Sequence, residues 1–242
     1  MMRRWIMVPV VFALVIAGLF GILRLTNART FQLFGDLLAR VDTDHAVVAL
    51  TFDDGPTTDY TQPVLEILKA QDVRATFFVT GRETAQNPAG AKAIADAGHE
   101  IGNHSWSHNR MIFVSSATVR EEIENTDAAI RDAGYKGELH FRPPYGKKLV
   151  ALPWYLAQND RTTIMWDVEP EADLVTAADP QAMADYVITN ATNGSIIIMH
   201  VMYESRGASR QALPALIDGL KARGFKFVTV SELLALQQGS SN

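Results

Sequence analysis

Ala46-Val47-Val48-Ala49-Leu50-Thr51-Phe52-Asp53-Asp54-Gly55-Pro56 runs from an apolar and β-branched stretch straight into two adjacent carboxylates and a Gly-Pro turn. Residues 46–52 read as a buried strand, and the turn residues end it where the acids begin. Runs of the same texture recur outward from it, at Arg74–Thr80, His99–Asn103, Leu139–Arg142, Thr162–Val168, Ser195–His200 and Phe225–Val230. The segments between them carry helical spacing. Thr118 and Glu121 form a capping box ahead of Val119, Ile123, Ile130 and Ala133, and Gly134 stops that helix. Asp179 and Pro180 supply an N-cap and a first helical residue ahead of Met183, Val187 and Ala191, and a third helix, with Leu213, Leu216, Ile217 and Leu220, ends at Gly224. Strands alternating with helices, without an internal repeat, predict a parallel α/β architecture, either a barrel or a doubly wound sheet.

The chain has 242 residues, with 22 Lys and Arg against 27 Asp and Glu, a formal charge of −5 and no cysteine. Disulfide scaffolds, cysteine zinc fingers, iron–sulfur clusters and cysteine nucleophiles are excluded, and an acidic chain without basic runs is no nucleic-acid binder. Arg3 and Arg4 precede an apolar run from Trp5 to Leu23, interrupted only by Pro9, Gly18 and Gly21. At ~1.5 Å per residue it reaches roughly 28 Å, the thickness of a bilayer's hydrocarbon core. Residues 1–23 therefore read as a membrane anchor, with a cleaved signal peptide as the alternative, since Thr26-Asn27-Ala28 is a passable cleavage site. Arg24 and Arg29 flank the far side, so the charge count leaves the orientation open. Residues 24–44 read as a juxtamembrane stalk, amphipathic around Phe31, Leu33, Phe34, Leu37 and Leu38, and 45–242 as one domain. Composition says nothing of the oligomeric state.

The polar residues of interest sit where strands end: Asp53 and Asp54, His104, Arg142, Asp167 and Glu169, and His200. In a parallel barrel those ends open on one face, where such folds keep their active sites. Adjacent carboxylates can divide labour, one holding a cation and the other taking a proton from what the cation binds. His104 and His108 stand four apart, close enough to reach one metal, and with Asp54 they offer two nitrogens and one oxygen while leaving positions for water and substrate. Pro143 and Pro144 stiffen the loop behind Arg142, which could then be held against a carboxylate while a backbone N–H faces an oxyanion. His200 tips the apolar strand Ser195–Met199, where neighbouring acids would make it a proton donor near neutral pH. His45, His99 and His140 read as surface or core residues. Trp106, Tyr145, Trp166 and Tyr203 lie in or beside these loops and could stack on sugar rings.

These stretches resemble the motifs of the metal-dependent polysaccharide deacetylases, carbohydrate esterase family 4 with its NodB-like homology domain, over about residues 45–236. Thr51–Pro56 matches the first motif, which implies Asp53 as catalytic base and Asp54 as metal ligand. His104–His108 matches His-(Ser/Thr)-x-x-His and implies the two histidine ligands. Arg142–Tyr145 implies Arg142 as the holder of the base and the Tyr145 amide as an oxyanion donor, and Ile198–His200 implies His200 as general acid. The resemblance implies a distorted (β/α)7 barrel, a divalent metal, Zn²⁺ first, and a hydrolase that removes N-acetyl groups from N-acetylglucosamine-type residues of peptidoglycan or a related glycan. With the anchor, it implies a catalytic domain outside the cytoplasm, membrane-bound or secreted after cleavage. The alternatives are an acetyl-ester or small-amide hydrolase on the same centre, or a tethered glycan-binding protein without turnover. The fourth motif departs from the family pattern: Trp166-Asp167-Val168-Glu169-Pro170-Glu171-Ala172-Asp173 stands where an Asp-x-x-Asp-Trp-like stretch is expected, and the acid behind His200 is Asp167, Glu169 or Asp173.

Overall fold

The computed structural model describes the backbone of residues 2–239 and the side chains of residues 12–237. Helix α1 (Met2–Asn27) leads to a short strand β1 (Leu37–Leu38). The chain then alternates β2 (Val47–Asp53), α2 (Thr61–Ala70), β3 (Thr76–Val79), α3 (Gly81–Gln86), α4 (Pro88–Asp96), β4 (Glu100–Asn103) and α5 (Ser116–Asp132). A 3₁₀ turn at Pro144–Gly146 precedes α6 (Ala151–Gln158) and β5 (Thr163–Ile164), and another at Pro170–Ala172 precedes α7 (Leu174–Ala178), α8 (Pro180–Asn190) and β6 (Ser195–His200). A last one at Glu204–Arg206 precedes α9 (Gly207–Ala222), β7 (Lys226–Phe227) and α10 (Val230–Gly239).

Strand β2 is central, and among the described residues the named strands pair in parallel, with one isolated antiparallel bridge, Arg40↔Ser195. β6 runs along one edge of β2 from Val48↔Ser195 to Asp53↔His200. On the other edge β7 pairs with its start (Val47↔Lys226, Val48↔Phe227) and β3 with its end (Thr51↔Thr76 to Asp53↔Phe78), while β4 continues beyond β3. The circuit passes on through the isolated bridges Asn103↔Phe141 and Phe141↔Thr163 and returns to β6 at Val168↔Ile197. The result is an α/β fold with parallel sheets, barrel-like, one wall of which is held by single bridges. Leu139–Arg142, expected as a strand, contributes only Phe141, which makes two of those bridges, because Pro143 and Pro144 follow at once and have no N–H to extend a ladder.

Side-chain parity decides what faces the barrel interior. Val48, Leu50 and Phe52 of β2 and Ile197 and Met199 of β6 point to the outer helices, packing with Leu68, Ile94, Val187 and Leu216. Ala49, Ile196 and Ile198 take the opposite parity and pack inside with Phe78, Ile164 and Trp166. Two-residue alternation then puts Asp53 and His200 on the interior face at the strand ends.

The helix signals hold with one shift. Asp179 caps α8 through a bond from the Gln181 N–H, with Pro180 in the first turn. Helix α5, however, is capped by Ser115, which accepts from the Thr118 N–H, so the cap lies one turn before the expected capping box. Its C-terminal stop, Gly134, sits at φ +99 as a left-handed cap should.

Residues 24–44 are bound into the domain. β1 pairs with β5 (Leu37↔Thr163, Leu38↔Ile164), Val41 is buried, and Phe34 meets Trp154 edge-on at 5.1 Å. The Val41 N–H also donates to Gly194 O, and Gly194 adopts φ +75 with its would-be Cβ 1.9 Å from Val41 O. Gly194→Ala is expected to lower unfolding stability by about 1–2 kcal/mol for the left-handed backbone alone, and by more for the clash. Urea unfolding at wild-type midpoint would contradict this fit. The expected span Trp5–Leu23 begins on residues 5–11, whose side chains lie outside the described residues. Among the described residues no helix is long and apolar enough to cross a membrane.

Candidate active site

The C-terminal ends of the parallel strands bring Asp54, His104 and His108 together, one potential ligand atom from each lying within 4.8 Å of the others. His104 directly follows β4 and is fully enclosed; its Nδ1 lies 2.8 Å from the Arg142 carbonyl, which can only accept. Nδ1 therefore carries the proton, and Nε2 turns its lone pair to the carboxylates, the orientation that a metal-binding imidazole requires. Burial outweighs the neighbouring acids and holds His104 below the ordinary histidine range, so it is neutral. His108 Nε2 is 3.3 Å from Asp54 Oδ1, yet that buried oxygen has no hydrogen-bond donor. Two imidazoles and one orphaned carboxylate oxygen are a donor set for a divalent cation, and Zn²⁺ suits it. The backbone is bent to achieve this: Asp54 lies at φ 79, Ser105 at φ 65 and His108 at φ 58, a region that costs a non-glycine residue about 1–2 kcal/mol. Such outliers cluster where function demands them.

Asp53 stands beside this trio with its Oδ2 3.5 Å from His104 Nε2. Arg142, with no exposed surface, donates from Nη1 to Asp53 Oδ1 at 2.7 Å and to Thr51 Oγ1 at 2.8 Å. Nη2 donates to Met165 O at 3.1 Å, and the guanidinium lies 4.1 Å from the Phe78 ring centroid. A buried charge pair survives only when its remaining donors are satisfied in this way. Burial alone would raise the Asp53 carboxyl; Arg142, then His104 and His200, outweigh it and hold Asp53 below the usual carboxylate range. Arg142 thus holds an ionised acid. Tyr145 follows in the same loop at φ 57, its ring 4.7 Å from His108.

The acid behind His200 is Glu171, which corrects the sequence-based candidates. Glu171 Oε2 lies 2.5 Å from His200 Nδ1, and Oε1 accepts from the His200 N–H at 3.1 Å and from Ser209 Oγ. The three expected acids are occupied elsewhere. Asp167 accepts from Ser195 Oγ and the Ile196 N–H beside the Val168↔Ile197 bridge. Glu169 takes the Trp166 indole N–H and Arg29, and Asp173 caps α7. The 3₁₀ turn at Pro170 swings Glu171 back towards β6, and spacing along the chain carries no trace of that turn. Because a carboxylate only accepts, His200 Nδ1 carries the proton and Nε2 is left for substrate. Burial would lower His200; the Glu171 bond and the charges of Asp53, Glu171 and Asp54 prevail and raise it above the ordinary histidine range.

These groups share one cleft of about 940 Å³ with all four expected aromatics, Trp106, Tyr145, Trp166 and Tyr203. Glu83 lies outside the motifs read from the sequence: it accepts from the Gly55 N–H, the Thr80 hydroxyl and the Tyr203 hydroxyl, and so props the Asp53–Pro56 turn. Its signal was present in Thr80-x-x-Glu83, a capping box directly after β3. Thr51 was also passed over; its interior parity places the hydroxyl between Arg142 and Ile197 O. His99 and His140 are buried and His45 exposed, away from the cleft, as expected.

Residues 40–164 match the family model described as polysaccharide deacetylase. The chain is 36% identical over 194 residues to the peptidoglycan-N-acetylglucosamine deacetylase PgdA of Listeria monocytogenes, a match covering 77% of this chain and 38% of that protein. It thus spans under two fifths of the length of that relative. Among solved structures it resembles the Bc1960 peptidoglycan N-acetylglucosamine deacetylase, with TM-score 0.75 and 31% identity over 81% of this chain and 91% of that one. It also resembles BA3943 of Bacillus anthracis, described as a pseudoenzyme of the same esterase family, with TM-score 0.74 and 31% identity over 83% of this chain and 69% of that one.

Proposed function

The chain belongs to the polysaccharide deacetylase family, and from that premise we propose that it is a metal-dependent hydrolase that removes N-acetyl groups from N-acetylglucosamine-type residues of a cell-wall glycan, releasing acetate. Similarity extends to an enzyme and to a pseudoenzyme alike, so likeness alone does not decide turnover. One observation carries the reading: a buried acceptor, Asp54 Oδ1, faces two imidazoles in a cleft that also presents an ionised acid and a raised histidine.

An amide is a weak electrophile with a poor leaving group, so both ends of the bond need help. Asp54, His104 and His108 would hold the divalent ion, Zn²⁺ by its donor set, and when bound it supplies a Lewis acid for the acetyl carbonyl. Asp53, kept ionised by Arg142, takes the proton of the attacking water. His200, kept charged by Glu171, donates a proton from Nε2 to the nitrogen as the C–N bond breaks, leaving acetate and a free amine. We assign the Tyr145 amide to the oxyanion, and the aromatic rim to the sugar faces. The apolar residues 5–23 support membrane attachment, and the proposed cell-wall substrate is what places the domain outside the cytoplasm.

Zinc-loaded protein is expected to release acetate from N-acetylglucosamine tetramer, and more slowly from acetylxylan. Acetate at the level of the buffer control with both substrates and with peptidoglycan would refute the proposal. Preference for acetylxylan would move it to ester hydrolysis.

A further inference from the structure

Arg29 stands ahead of the residues that match the family model, in the stem that follows α1, yet it lines the same cleft as Asp53 and His200. Its guanidinium pairs with Glu169 Oε2 and lies 5.0 Å from the Trp166 ring centroid. The same Glu169 oxygen accepts the Trp166 indole N–H at 2.9 Å. Trp166, only 6% exposed, is in turn 5.6 Å from the Arg142 guanidinium that holds Asp53. The stem is fastened where this contact is made: Lys148, 1% exposed, donates to the Ala28 carbonyl, and Lys147 donates to the Asn27 side chain. Burial lowers the Lys148 ammonium to about 8, which marks how far it has left water for that single carbonyl.

We propose that Arg29 is a positioning residue of the glycan cleft: acting through Glu169 and Trp166, it fixes the aromatic wall against which the sugar chain lies, so that the stem is a working part of the site. The inference rests on the deacetylase reading. The Glu169 side chain is 19% exposed, and without Arg29 it keeps the Trp166 indole N–H and the charge of Arg142 but loses the cation paired with it directly. A charge so enclosed draws in water or swings out, and either movement frees Trp166. Arg142 keeps its other bonds to Asp53, Thr51 and Met165, so proton transfer is spared.

The test compares Arg29→Ala, Arg29→Lys, Glu169→Gln and the Arg29→Ala/Glu169→Gln double variant in the full zinc-loaded chain with N-acetylglucosamine tetramer. Arg29→Ala is expected to raise KM about 5-fold, the size of one partly exposed ion pair and its cation–π contact, with kcat changed less than about 2-fold. Arg29→Lys should recover part of the loss, since an ammonium pairs but does not stack as a flat guanidinium does. The double variant should lose less than the product of the two single effects. Acrylamide quenching of tryptophan fluorescence should rise in Arg29→Ala and not in Arg29→Ala/Trp166→Phe. Wild-type KM together with wild-type quenching overturns the proposal, as does a loss of kcat with KM unchanged. Quenching requires no turnover, so a wild-type chain that releases no acetate refutes the deacetylase reading alone.

Discussion

Asp53→Asn is expected to lower kcat by about 10²-fold or more while the purified protein still carries about one zinc per chain. The amide is isosteric and keeps an oxygen for Arg142 Nη1, 2.7 Å away in the wild type, so the loop has no reason to rearrange. What disappears is the capacity to take a proton. Asp54, His104 and His108 are untouched, and for that reason metal content separates this role from that of a ligand. Acetate release near the wild-type rate would remove Asp53 as base, and loss of zinc along with activity would make it part of the metal site instead.

The second large effect belongs to Glu171, a residue that spacing in the sequence did not single out. Glu171→Gln is expected to reduce kcat by roughly 10²-fold or more, in the direction of the ~10⁴-fold loss that follows when the carboxylate behind the histidine of a Ser-His-Asp triad becomes an amide. It should also change the pH profile. A general acid works only while protonated, so activity falls as pH rises through the His200 pKa. Burial lowers that pKa, and the Glu171 bond and charge, with the charges of Asp53 and Asp54, raise it; with the Glu171 charge gone, part of the upward pull is lost and the pKa drops. The alkaline limb of kcat should therefore move to lower pH. The carboxylate also accepts from the His200 N–H and Ser209 Oγ at a single oxygen, Oε1, and Gln retains one oxygen that can stand there, so the fold should persist. An alkaline limb in its wild-type place would detach Glu171 from the chemistry.

Much of this site was legible in the sequence because strand parity and motif order are local properties. The apolar residues Ala46–Phe52 announce β2, and once β2 is fixed, Asp53 must share interior parity with Ala49 and Thr51. The same counting along Ser195–His200 delivers His200 opposite Asp53 in register. Asp179 and Pro180 name the start of α8 because a cap is written within three residues. What escaped depends on the chain turning back. Glu171 reaches His200 only through the turn at Pro170, and β1 is two residues long, too short to show any alternation before β5 is there to pair with it. The Ser115 cap was hidden for another reason: Ser115 and Thr118 are both good caps, and only the path of the preceding loop chooses between them.

Asn27 is both the last residue of α1 and a lining residue of the cleft, and Ala28 and Arg29 are fastened directly after it. A slack leash would let the mouth of the enzyme swivel and sweep a wide shell of polymer. Among the described residues no such slack separates α1 from the cleft, so on the proposed reading whatever grips the helix would also aim the mouth.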